Sequence, residues 1–339
     1  MPRSAAVLWL AGLIALSACT STPPASSSGG PSQGTTPSST PFRAAGSSSP
    51  SVSASPAPSA ATLASGLALP ACAPGAPNAS DTVTFVASGY AWSLSPTGSD
   101  LTCLFPVTDP GPFEWGPLGD RVLLGGLEVK GVAGGPSLAA SDKTFATVTW
   151  SRPTGTAIVY APTANKTLEK VFVNGAAPQH VTPLPPSRYL SVTYHPSGEA
   201  YAFAVELAGG QSIWMSTNKG KTPVRLVFST EGTKFGAMGF EADGKHLLYA
   251  AQHADNHPEL HRIDVTDTTT APVAWAGPVG STILDIQPGL AAGTVAWTTG
   301  GASCADSIAM AQTPAGTVRA LPDATRPTRS VGWLGAPQL

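Results

Sequence analysis

An all-β domain built from repeated four-stranded units is predicted for most of the chain by three observations. Apolar runs of about four to six residues, broken by Gly, Pro, Asn and Asp, fill the sequence after Pro70, and no long stretch keeps a helical period. One segment, residues 192–226, reads as four strands in succession. The strand and turn that open this unit recur at intervals of about 35 to 47 residues, a range that fits propeller blades rather than helical repeats.

Within the best-formed unit, residues 192–194 make a short apolar strand closed by the Pro196-Ser197-Gly198 turn, and residues 200–205 alternate as a second strand. Gly209 and Gly210 turn the chain into a third strand at 213–216. A turn at Asn218 and Gly220 then delivers a fourth at 224–227. A lone four-stranded antiparallel sheet cannot bury both faces, so each unit needs copies of itself on either side.

The opening strand and turn align at residues 113–119, 148–155, 192–198 and 238–244, with weaker copies at 284–286 and 330–333. Trp115, Trp150, Tyr194, Phe240 and Trp333 recur at one position of the unit. Repetition of that kind points to packing between units, because every unit needs the same filler. The last copy stops after its first strand, whereas residues 83–87, 90–94 and 101–105 supply three strands that lack a first. Joining the two ends completes a sixth unit and leaves no sheet edge exposed around the ring. The prediction is therefore a six-bladed β-propeller closed by strands from both termini. Seven blades is the alternative, since the segment after Val122 is short and its turns are weak.

The unit pattern, an aromatic followed by x-Pro-x-Gly and then an apolar strand, resembles the WD-like repeats of TolB-type six-bladed propellers. Phe240-Glu241-Ala242-Asp243-Gly244-Lys245 and Pro258-Glu259-Leu260-His261-Arg262-Ile263-Asp264 are similar to that family's turn and third strand. The resemblance covers about residues 82–333 and implies a fold rather than an activity, because propellers host binding, scaffolding and enzymatic roles alike. TolB proteins carry a separate N-terminal domain where this chain has a different leader, so the Tol-Pal partnership is not carried over. The Ala, Gly and Pro richness fits an actinobacterial type of lipoprotein.

That leader begins with one basic residue, Arg3, followed by an uncharged apolar run over residues 5–15, the layout of a secretory signal too short to span a bilayer. Leu16-Ser17-Ala18-Cys19 resembles the lipobox of bacterial lipoproteins, which implies a signal over 1–18 and a diacylglycerol thioether on Cys19. An ordinary signal with a chance cysteine at its end is the competing reading. Residues 19–70 are mostly Ser, Thr, Pro, Ala and Gly, with Arg43 the only charge. Such a composition buries too little to offset the entropy of ordering, so a disordered tether is expected, reaching roughly 140 Å if fully extended. The propeller is expected over 71–339, on the extracytoplasmic face of a cell membrane.

The chain contains 18 Lys and Arg against 20 Asp and Glu, a net charge of -2, and offers no basic stripe for nucleic acid. Gly220-Lys221-Thr222 has the end of a phosphate-binding loop without its beginning, since Met215 stands where the first glycine belongs. No nucleophile elbow, His-Glu-x-x-His pair or Cys-x-x-Cys pair occurs. His253, His257 and His261 would share one face of a helix and could hold a metal there. Asp255-Asn256 and Pro258 deny that helix, leaving a solvated hairpin with incidental histidines, and no metal or cofactor is expected. Cys72, Cys103 and Cys304 remain after lipidation, and export permits a disulfide. Propeller geometry favours Cys72 with Cys103, with Cys304 as the alternative partner of Cys72.

These features describe an anchor, a spacer and a rigid disc without a catalytic set. The expected role is a scaffold for a protein or cell-wall ligand; the alternative is a hydrolase or lyase whose groups meet over the central channel. A ligand face is expected where loops vary from copy to copy, opposite the Pro-x-Gly turns. Its candidate residues are Arg188, Tyr189, Lys234, His253 and Asp255.

Overall fold

A computed structural model describes residues 70–75, 81–87, 89–95, 100–107, 114–124, 128–131, 138–139, 145–162, 167–181, 184, 187–217, 222–229, 232–289, 291, 293–300, 308–312, 318–320 and 331–335. Cys19, Cys304, Gly220 and Lys221 lie outside the described residues. So do the predicted signal and nearly all of the predicted tether.

Among the described residues every regular element is a strand, and these strands form six four-stranded antiparallel sheets. Blade 1 contains β1 (Asp81–Ala87), β2 (Tyr90–Leu94) and β3 (Thr102–Pro106), with β24 (Val331–Gly335) as its innermost strand. Blade 2 is β4 (Glu114–Trp115), β5 (Arg121–Leu124), β6 (Glu128–Gly131) and β7 (Leu138–Ala139). Blade 3 is β8 (Phe145–Trp150), β9 (Ala157–Pro162), β10 (Leu168–Phe172) and β11 (Gln179–Val181). Blade 4 runs through β12 (Arg188–Tyr194), β13 (Ala200–Leu207), β14 (Gly210–Thr217) and β15 (Val224–Phe228). Blade 5 holds β16 (Lys234–Phe240), β17 (His246–Gln252), β18 (Pro258–Asp264) and β19 (Val273–Ala276). Blade 6 holds β20 (Thr282–Pro288), β21 (Val295–Gly300), β22 (Ile308–Gln312) and β23 (Val318–Ala320).

The innermost strands touch one another in the circular order β4, β8, β12, β16, β20, β24 and back to β4. This is the propeller arrangement. Closure comes from the two ends of the chain: β1 pairs antiparallel with β24, setting Val83 opposite Trp333 and Phe85 opposite Val331. The incomplete first and last repeats thus complete each other in one sheet, which protects the inner edge of β1.

Apolar side chains from facing sheets fill the space between blades. Tyr194 of blade 4 packs in a cluster with Val159, Ala161 and Leu168 of blade 3, and Phe240 of blade 5 packs with Ala202 and Ile213 of blade 4. The tryptophans at the same position add a polar tie. Trp115 donates from Nε1 to Thr84 Oγ1 of blade 1 at 2.7 Å, and Trp150 donates to the Glu114 carbonyl of blade 2 at 3.0 Å. Burying a large apolar side chain contributes roughly 1.5–3 kcal/mol, and satisfying the indole N–H avoids the cost of stranding it.

At the Pro-x-Gly edge, each turn meets the turn of the preceding blade. Gly155, Gly198 and Gly244 all have φ between 60° and 75°, at 62°, 72° and 67°. A Cβ on Gly155 would lie 2.8 Å from Pro117 Cδ, one on Gly244 would lie 2.5 Å from His195 Nε2, and one on Gly198 would strike the Arg152 carbonyl. Left-handed backbone and close approach together require glycine here.

Cys72 and Cys103 are joined by a disulfide, with Cα atoms 5.5 Å apart. Gly75 donates its backbone N–H to the Cys103 carbonyl at 2.8 Å, so the segment before β1 is laid along the outer strand β3 by a covalent and a hydrogen bond.

Candidate functional site

Strand periodicity builds the most concentrated group of chemically versatile side chains among the described residues. Successive side chains of a strand alternate faces, so the approach to β18 carries His257, Glu259 and His261 to the same side. His253 reaches that side from across the β17–β18 turn. The turn is closed by the His253 N–H donating to the His257 carbonyl at 3.0 Å, with Asn256 in the left-handed region at φ 66°. Asn accepts that conformation more readily than most residues, which gives this position its local reason.

All three histidines converge on one carboxylate. His253 Nε2 and His261 Nε2 each lie 2.8 Å from Glu259 Oε2, and His257 Nε2 lies 3.4 Å from Oε1. On the other side of the rings, His257 Nδ1 meets Asp255 Oδ1, and His261 Nδ1 lies 3.0 Å from the Ala271 carbonyl. The rings are also fixed by stacking. His253 and His257 are 4.6 Å apart and nearly parallel at 12°, and His261 lies on Tyr249 at 5.1 Å and 9°.

The electrostatics follow from these contacts. Asp255 is held below the usual carboxylate range by its hydrogen bond with His257, and the same bond raises His257. Burial works to raise Glu259, but the hydrogen bond and charge of His253, with His261 and His257, bring it below its ordinary value. Tyr249 is pushed up to about 12 by burial, with the Glu259 charge adding to the effect.

The histidines therefore are not incidental to a solvated turn: the hairpin gathers them about Glu259. A spacing of four residues invites comparison with a helix. The stronger signal is His257-Pro258-Glu259-Leu260-His261, whose alternation in a strand assembles the same groups and adds Glu259, which a helical spacing leaves out.

The other predicted ligand-face residues separate into exposed and buried. Arg188 opens β12, is exposed, and pairs with Glu206 at 3.0 Å. Lys234 opens β16, is exposed, and lines a cavity of about 280 Å³ with Phe235, Gly236, Gln252 and Ile283. His253 is partly buried within the cluster, and Asp255 is exposed on the turn. Tyr189 is a correction. It belongs to β12 and is only 4% exposed, packed with Val192, Phe203 and Val205. The strand begins earlier than a loop reading allows, and alternation then turns Tyr189 into the seam between blades.

These exposed positions share the edge opposite the Pro-x-Gly turns, and the blades are linked there. Gln211 of blade 4 accepts from the Phe235 N–H of blade 5 at 2.6 Å, and Gln252 of blade 5 donates to the Ser281 carbonyl at 3.2 Å, just before blade 6.

A second group lies on the innermost strands. Glu114 is buried, and its Oε1 accepts from Thr149 Oγ1 and the Trp150 N–H, both at 3.3 Å. Burial raises its pKa to about 7 against the opposing charge of Arg152 and the Trp150 bond, and Asp285 of blade 6 adds an upward push. A third group, Glu241, Asp243 and His246, sits at the Pro-x-Gly edge. Its buried member is already engaged: Arg262 donates from Nε and Nη2 to the two Glu241 oxygens at 2.6 and 3.0 Å.

No protein-family model matches the chain, and no curated protein matches its sequence. Solved structures match its shape. TolB from Acinetobacter baumannii superposes with a TM-score of 0.60 at 13% identity, over 75% of this chain and 67% of that one. A nidogen/laminin complex gives 0.59 at 10% identity, over 76% and 100%. A TolB-type structure from Agrobacterium tumefaciens gives 0.56 at 13%, over 74% and 92%. At these identities the likeness is one of fold, and the fold is a TolB-like β-propeller.

Proposed function

We propose that this protein is an extracytoplasmic lipoprotein, anchored through Cys19, whose propeller is a docking scaffold for a protein or cell-wall ligand. The observation that carries the docking role is the shared edge of blades 4 and 5. Arg188, Lys234 and Asp255 are exposed there on elements cross-tied by Gln211, so polar groups of both signs project from a supported surface. Variation of this edge leaves the blades undisturbed, which is how a repeating scaffold acquires specificity. Among the neighbours by shape, the nidogen/laminin structure is itself a complex. The Leu16-Ser17-Ala18-Cys19 motif supports the anchor, and the uncharged Ser, Thr and Pro stretch after it supports a spacer.

The alternative, a hydrolase or lyase working over the channel, requires reacting groups open to substrate. Glu114 is 7% exposed and committed to Thr149 and Trp150, so it serves the seam between blades 2 and 3.

Two measurements test the proposal. Metabolic labelling with an alkyne fatty acid should mark the wild-type chain and not Cys19→Ala, which should leave the membrane fraction. Label persisting on the variant sinks the anchor. For docking, crosslinking in intact cells should recover a partner that Arg188→Ala with Lys234→Ala loses and Lys245→Ala, on the opposite edge, keeps. Equal loss from both sets would overturn the assignment of the face.

A further inference from the structure

We propose that His253, His257, His261 and Glu259 form a binding site for one divalent transition-metal ion of the zinc type. The inference begins with hydrogen-bond accounting. Carbonyl oxygens and ionised carboxylates only accept. The contacts of His257 Nδ1 with Asp255 and of His261 Nδ1 with the Ala271 carbonyl therefore require the ring hydrogen to sit on Nδ1 in each case. A neutral ring then presents its lone pair at Nε2. Both Nε2 atoms point at Glu259, which is another acceptor. Acceptors facing acceptors at this range repel unless a positive charge lies among them.

A metal ion resolves the conflict with the groups already present. Imidazole nitrogens and a carboxylate oxygen are the donors that zinc-like ions take, at bond lengths of about 2.0–2.2 Å. The donor atoms of His253, His257 and Glu259 all lie within 4.8 Å of one another, close enough to surround one ion after small side-chain rotations. His261 lies outside that group, but its Nε2 stands 2.8 Å from the same Glu259 oxygen as His253, which places it to join as a fourth donor on a larger rotation. Asp255 and the Ala271 carbonyl occupy the outer positions that fix tautomer and ring orientation in metal-binding histidines. Three of the four residues come from β18 and the residue just before it, so the backbone of one strand brings them to one side.

The competing arrangement places extra protons on the rings, making an imidazolium cluster that takes up no ion at micromolar concentration because each ring would first have to lose its proton. The two differ in what they bind. The full chain, purified in detergent micelles and stripped with EDTA, should take up one equivalent of Zn²⁺ in a calorimetric titration. Its thermal midpoint should rise on loading. Co²⁺ in place of Zn²⁺ should give visible d–d absorption. Glu259→Gln, nearly isosteric and so compatible with the hairpin, should abolish the stoichiometric step, and Asp255→Asn should weaken it about tenfold through the outer shell. Asp243→Asn, in the group bound up with Arg262, should leave it unchanged. Absence of a stoichiometric step, binding only at millimolar Zn²⁺, or a step that survives Glu259→Gln would overturn the proposal. The docking role stands or falls separately, since its test uses Arg188 and Lys234.

Discussion

His195 Nε2 lies 2.8 Å from the carbonyl oxygen of Gly244, joining the Pro-x-Gly turn of blade 4 to the equivalent turn of blade 5. The same ring packs edge-on against Phe240 at 5.1 Å. One side chain thus fills the space that a side chain on Gly244 would need.

Substitution of that glycine should therefore be costly. Gly244→Ala forces a Cβ toward His195 and strains a residue with φ 67°, for a loss of about 1–3 kcal/mol. Gly198→Ala should cost more, because its Cβ meets the backbone of Arg152 rather than the end of a side chain. Gly175, at φ 79° with open space about it, controls for backbone strain alone. Chemical denaturation of the three alanine variants should rank Gly198, Gly244, Gly175 from most to least destabilised.

Glu114 should make stability depend on pH in an unusual direction for a carboxyl. Burial raises its folded pKa from 4.5 to about 7. Between those values the unfolded chain has released the proton while the folded one retains it. The favourable contribution of Glu114 is full below pH 4.5 and is lost as pH climbs toward 7, a change on the order of 3 kcal/mol. Glu114→Gln keeps an oxygen for Thr149 and Trp150 and removes the titration. The melting temperature of the variant relative to wild type should rise between pH 4.5 and 7.5, and a constant difference would refute the assignment.

The Glu241–Arg262 pair should show the asymmetry of a buried carboxylate with a partly exposed partner. Glu241 is 3% exposed and accepts both Arg262 bonds. Arg262→Ala strands that charge, for a loss of about 1–3 kcal/mol after allowance for solvent around the guanidinium. Adding Glu241→Gln should restore part of the loss. Additive losses in the double variant would show that the pair is not coupled.

Removing the disulfide should act on the amino-terminal side of blade 1. Cys72 and Cys103 enclose a separation of 31 residues, and a loop of that size is worth roughly 3–4 kcal/mol by the chain-entropy estimate. Cys72→Ser with Cys103→Ser should lower the melting temperature and expose the bond after Pro70 to limited proteolysis. An unchanged digestion pattern would mean that the Gly75 hydrogen bond suffices.

Much of the fold was legible because it rests on local chemistry repeated at intervals. Alternation marked the strands, turn glycines marked the edges, and Val83 and Trp333 fell into one sheet because each end lacked what the other supplied. The candidate site was less legible. Tyr189 looked like a loop residue because strand starts have no cap to mark them, and one residue of register decides between solvent and seam. Glu114 carries no local sign of burial, since its partners Thr149 and Trp150 come from the next blade. Glu259 is hard to read as the partner of its histidines because their four-residue spacing suggests a helix face, whereas the groups meet on the alternating face of a strand.

Pairing of β24 with β1 also sets the order in which the protein can be completed. During synthesis the first three strands of blade 1 emerge early, yet their inner neighbour, β24, follows the strands of all the other blades. Until then the ring is a horseshoe with a sticky margin at β1, open to pairing with another copy. A chain that lacks β24 would keep that margin permanently, so removal of this one strand should promote self-association.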